Sequence, residues 1–255
     1  MPHTEERLIA IGRVFFATGM MAWGVQHLVA GDFVTRVVPQ WPDVLAPRQP
    51  WAWVLGVFLV VAGAAIATGQ HVRIAALSFA ALTLMSFALL HVPLVAADHL
   101  LGGRWTSAGK ALVMSGGALA IVAAAGRRDG FVLWGRFALG AFLTLCGIQH
   151  FMYVPFVASL IPSWIPGAVF WTYFAGVALV AGGLGLILPF VPRLSALLSG
   201  LMIFSWVFLI HVPLVVRDVH DANNMAAVFE ALAFSGVAFL LAGLLPRTGP
   251  GRAGR

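Results

Sequence analysis

The chain has 255 residues, of which 61% are hydrophobic and 9% charged, against about 25% charged in a soluble domain. So few polar groups cannot cover a folded surface, and a mean hydropathy of +0.96 makes the bilayer the solvent. The formal charge of +6 then calls for no nucleic acid, because an excess of Lys and Arg is what the cytoplasmic loops of membrane proteins carry. A single cysteine, Cys146, excludes an intramolecular disulfide and a self-contained CxxC dithiol centre.

A membrane-crossing helix needs about 20 mostly apolar residues. In chain order, such runs cover roughly 8–30, 52–69, 72–97, 107–125, 131–154, 168–188, 194–216 and 223–244. Polar or Pro/Gly breaks separate several of them: TGQH at 68–71, GGRW at 102–105, GRRDG at 126–130 and PFVPR at 189–193. The first run is long enough to span and is followed by others, so it reads as a signal-anchor.

The second half repeats the first. LLHVPLVAAD at 89–98 returns as LIHVPLVVRD at 209–218, and GVQH at 24–27 returns as GIQH at 147–150. Gly12 and Arg13 match Gly135 and Arg136, Pro39 and Trp41 match Pro162 and Trp164, and Trp51 and Gly56 match Trp171 and Gly176. The offset is 123 up to Trp41 and 120 from Trp51 onward, so one loop is three residues shorter in the second copy. The pattern predicts an all-α membrane protein of eight transmembrane helices. They form two parallel four-helix repeats, 1–126 and 127–255, related by a pseudo-twofold along the membrane normal. An even number of spans per repeat makes both copies enter from the same side. Arginines such as Arg7, Arg73, Arg127, Arg128 and Arg193 outweigh the basic residues of the opposite loops, where acids offset them. Both termini are therefore expected in the cytoplasm of a bacterial inner membrane.

The order GRVFFATGMMAWGVQH, a Pro-Trp loop, a Gly-rich span, HVPL and a WTSAGKAL span with paired glycines resembles the DoxX-like membrane proteins. The likeness covers about 8–125 and again 131–244, as a fused tandem pair of four-helix bundles. DoxX-like units occur beside redox enzymes, and the DoxD branch is the membrane subunit of a thiosulfate:quinone oxidoreductase. The resemblance thus implies a redox-associated or quinone-linked subunit, with a redox enzyme as partner. It implies no catalytic residues, because the family has no agreed set.

Ionisable groups inside a span are costly and mark candidate sites. His27 and His91 in the first repeat, and His150 and His211 in the second, fall at similar depth near the outer face. Two imidazoles per repeat could hydrogen-bond a quinone carbonyl in a pocket, or each could bond a backbone carbonyl of its own bundle. A quinone is the candidate ligand. Haem or copper on the same four histidines is the weaker alternative, because no HxxxH spacing or Met box accompanies them. Gln26 and Gln149, beside two of the histidines, either bond across helices or meet the ligand. Pro93 and Pro213 should kink their helices and free the carbonyls of Leu89 and Leu209. Asp98 and Asp218, two turns after His91 and His211, are placed at the pocket mouth. Trp41 and Trp164 stand in Pro-bounded loops that could fold over the bundle as lids.

Lys110 and Glu230 occupy equivalent positions in the fourth and eighth spans. They are expected to meet as an inter-repeat polar pair or to line a cavity between the repeats. Arg13 and Arg136 belong to the cytoplasmic headgroup zone, where a long side chain snorkels to lipid phosphate. The competing function is a non-enzymatic ligand-binding, transport or scaffold protein. The sequence contains no nucleophile motif, metal motif or dinucleotide fingerprint that would mark an enzyme working alone.

Overall fold

The computed structural model describes residues 2–36, 38, 46–126 and 129–246. Among them every regular element is helical. Eight helices are long and apolar enough to cross a membrane, consistent with an integral membrane protein: α1 (His3–Ala30), α2 (Arg48–Thr68), α3 (Val72–Ala97), α4 (Gly102–Ala124), α5 (Asp129–Met152), α6 (Ala168–Ile187), α7 (Pro192–Arg217) and α8 (Ala222–Leu244). A short helix, Val154–Ser159, follows α5.

The helices match the expected spans, with α1 starting five residues earlier, and α2 and α4 four or five residues earlier. The first turns of α2 and α4 carry Arg48, Gln49, Arg104 and Trp105, which suit a headgroup layer and are invisible to a hydropathy window. Gly69 ends α2 at φ 80°, a left-handed conformation that glycine adopts without a Cβ penalty.

The HVPLV segments differ from expectation. Instead of a simple kink, α3 contains a π-helical turn at Phe87–His91 and α7 contains another at Val207–His211. The amide of Val92 bonds the carbonyl of Phe87, and that of Val212 bonds the carbonyl of Val207. The wider turn absorbs the proline, which lacks an N–H and whose ring would clash one turn back. It also inserts one residue into the helix, which turns everything beyond it by about 100°.

The core lies on α4 and α8. The apolar windows of these helices are 67% and 78% buried, and no other helix exceeds 39%. The two halves are not closed four-helix bundles standing side by side. α1 packs chiefly on α8 and α2, while α5 packs on α6 and α4, so the first and fourth spans of each half are joined across the halves. Small residues let the backbones approach, as expected where lipid competes for apolar contact. A Cβ on Gly12 would lie 2.5 Å from the carbonyl oxygen of Gly236, and one on Gly135 would lie 2.9 Å from that of Gly116. Gly24 and Gly147 stand in the same relation to Gly56 and Gly176, each at 2.7 Å. Like helix pairs therefore use like positions of the repeat.

Candidate functional site

The polar residues collect at the end of the bundle that carries the loops 31–47, 98–101, 153–167 and 218–221, hereafter the long-loop end. Glu230 lies eight residues into α8 and is 6% exposed. Its Oε1 accepts from Lys110 Nζ at 2.6 Å, and its Oε2 accepts from Arg36 Nε at 2.5 Å. Lys110 lies eight residues into α4, so both partners sit about 12 Å below their helix starts. A carboxylate at that depth is tolerated because both oxygens carry charge-assisted hydrogen bonds.

Arg36 was not singled out from the sequence. It belongs to the loop after α1 and is brought to α8 by Asn223. The Asn223 side-chain oxygen accepts from the Arg36 amide at 3.1 Å and from the Thr35 hydroxyl at 3.2 Å. Asp221 caps α8 by accepting from the Asn223 amide at 2.8 Å, which holds that residue in place. The available signal was an arginine in the mostly apolar run FVTRVV, 33–38.

The four histidines separate into two kinds. His27 Nδ1 donates to the carbonyl of Trp23 at 2.6 Å, and His150 Nδ1 donates to that of Cys146 at 2.7 Å. A carbonyl can only accept, so the proton is fixed on Nδ1 and the neutral ring offers a lone pair at Nε2. In His27 that Nε2 is fully buried and unpartnered. His91 and His211 close the π-turns instead. His91 lies within the field of Lys110, and His211 within that of Arg36, Glu230 and Lys110. The Nδ1 of His211 is buried without a partner.

Helix phase relates His27 to His91. Phe16 of α1 meets Phe79 of α3 edge-on at 5.7 Å. His27 comes eleven residues after Phe16, close to three full turns. His91 comes twelve after Phe79, with one residue absorbed by the π-turn. Both therefore return to the inner face at matching height, and both are buried, at 0% and 5% exposure.

The glutamines tie helices together. Gln26 donates to the carbonyl of Ala222 at 3.2 Å, and Gln149 donates to that of Gly102 at 2.9 Å. Gln149 also accepts from Thr106 at 2.7 Å, whereas the oxygen of Gln26 is buried without a donor. Asp98 and Asp218 directly follow α3 and α7 at the long-loop end; Asp98 pairs loosely with Arg104 at 3.9 Å, and Asp218 accepts from the His220 amide at 3.1 Å. Trp164 is 62% exposed, while Trp41 lies outside the described residues. At the opposite end, Arg136 does not reach outward to lipid phosphate. It donates to the carbonyls of Leu186, Ile187 and Leu188 and so caps α6.

An apolar cleft of about 420 Å³ opens between α3, α4 and α5. Phe87, Val92, Trp105, Gly109, Phe142 and Leu145 are among its walls, and none of the sequence-predicted site residues lines it. Three wall residues, Val92, Gly109 and Leu145, are chain neighbours of His91, Lys110 and Cys146. No group of three metal-ligating side chains converges among the described residues.

Residues 139–242 match a family model described as a domain of unknown function, DUF8561. That stretch runs from the middle of α5 into α8 and includes Gln149, His150, His211 and Glu230, but neither Arg36 nor Lys110. No curated protein and no solved structure matches the chain.

Proposed function

We propose that the chain is a quinone-linked, redox-associated membrane subunit of the DoxX-like kind, with its ligand site at the long-loop end facing outward from a bacterial inner membrane. The observation that carries this reading is the apolar cleft lying one residue away from His91 and Lys110. A quinone is a lipid-soluble ligand with two hydrogen-bond acceptors. The cleft would take its apolar body from the bilayer, and the ammonium of Lys110 or the imidazole of His91 would donate to a carbonyl. Electrons would pass to or from a partner enzyme.

Trp105 in the cleft wall reports on occupancy. Decylubiquinone titrated into the purified protein should quench Trp fluorescence saturably. Ala141→Trp, which fills the cleft from its exposed side, should abolish the binding and leave thermal stability intact. Quenching that never saturates, or that a redox-inert alkyl benzene reproduces at equal concentration, refutes the quinone reading.

A second reading, a non-enzymatic binding or transport protein, is favoured by a different observation. The Arg36–Glu230–Lys110 cluster has more positive than negative charge, which attracts an anionic solute regardless of redox chemistry.

A further inference from the structure

We propose that Arg36, Lys110 and His211, arranged around Glu230, form a single site for one oxygen-bearing monoanion. The inference does not rest on the quinone reading, although both draw on the spare N–H donors of Lys110.

Charge is the first argument. Glu230 spends one carboxylate on two cations, and no second carboxylate pairs with either of them among the described residues. An unmatched positive charge at membrane depth is costly, and a bound anion removes that cost. A monoanion balances the cluster. A dianion would reverse the imbalance and carry a heavier desolvation penalty.

Donor count is the second argument. Lys110 has three N–H groups and Arg36 has five, and each uses one side-chain donor on Glu230. His211 lies within the field of Arg36, Lys110 and Glu230, and its Nδ1 is a buried polar atom without a partner. The side chains of Lys110 and Arg36 remain 20% and 34% exposed, so the spare donors can be reached. A carboxylate or phosphodiester, with several acceptor oxygens on one negative charge, fits this set.

The repeat explains why there is one site and not two. The positions matching Arg36, Asn223 and Glu230 are Ser159, Gly103 and Lys110. The second copy therefore lacks the arginine, the side chain that docks its loop and the acid that would hold it.

The anion can come from water or from a lipid headgroup, and calorimetric titration in dodecyl maltoside, an uncharged detergent, separates the two. Benzoate probes the soluble source and phosphatidylglycerol the lipid source. Benzamide is the neutral control and sulfate the dianionic one, all at equal ionic strength. Saturable binding of benzoate or phosphatidylglycerol at one per chain is expected, with benzamide silent and sulfate weaker. Arg36→Gln should weaken anion binding about tenfold or more, and Arg36→Lys should retain most of it. Glu230→Gln should tighten binding, a gain that a merely structural role would not produce. If that variant does not fold, the two Arg36 variants decide. Equal binding of benzamide and benzoate, no anion binding at all, or unchanged affinity in Arg36→Gln overturns the site.

Discussion

Lys110 and Glu230 are 120 positions apart in the chain and 2.6 Å apart in space, at equivalent places of the two repeats. A residue meets its own repeat counterpart only where the halves approach each other, here between the two most buried helices. Arg36 makes this pair a triad, and that changes what mutation should do. Lys110→Ala leaves Glu230 paired with Arg36, at a cost of about 1–3 kcal/mol. Glu230→Ala leaves two cations facing each other and should cost about 3–5 kcal/mol. The double variant should recover part of that loss. Thermal unfolding in detergent checks the order. Losses that simply add would mean that the pair is not energetically coupled.

The two glutamines should behave differently despite their equivalence. Gln149 is satisfied on both sides of its amide, while Gln26 keeps a buried oxygen without a donor. Gln149→Leu should destabilise by about 0.6–2 kcal/mol, the range for polar contacts between membrane helices. Gln26→Leu should be neutral or mildly stabilising, because it removes an unsatisfied group. Equal losses in the two variants would contradict the asymmetry.

The π-turn predicts where α3 can be shortened. Leu89 is 65% exposed to the lipid side. Deleting it together with Pro93→Ala should convert the turn to regular helix and leave His91 on its inner face. Deleting Ala81, an exposed residue below the turn, should instead rotate the helix between Ala81 and the π-turn by about 100°. Folded yield and thermal midpoint should be kept in the first variant and lost in the second.

Orientation can be read chemically. Gly103 and Gly130 have open space where a Cβ would stand, and they begin α4 and α5 at opposite ends of the bundle. On a Cys146→Ser background, an impermeant maleimide applied to whole cells should label Gly103→Cys but not Gly130→Cys, if both termini are cytoplasmic. The reverse pattern inverts the protein in the membrane.

The eight helices were legible in the sequence because hydropathy reports the solvent directly, and the repeat was legible because duplicated residues keep their spacing. That spacing made Lys110 and Glu230 equivalents, and their contact then followed only if the fourth and eighth spans meet, as they do. Arg36 could not be placed with them, because its position depends on how Asn223 docks a loop from the other half. The π-turn escaped notice for a related reason. A proline announces a disturbance but does not say whether the helix bends or takes in a residue. The apolar cleft left no mark, since its walls are the same residue types as the lipid-facing surface.

The broad face that α1 presents to α8 has a consequence for biosynthesis. A ribosome delivers α1 first and α8 last of the eight, so the glycine-lined groove around Gly12 and Gly19 has no native occupant until α8 emerges. Arg36 and Lys110 likewise wait for Glu230, which α8 carries. The nascent protein therefore carries an unmatched cationic patch until the eighth helix arrives, which closes the seam and sets one carboxylate against the two cations in one step. A chain stalled before that point would present both defects together, a clear mark for membrane proteases.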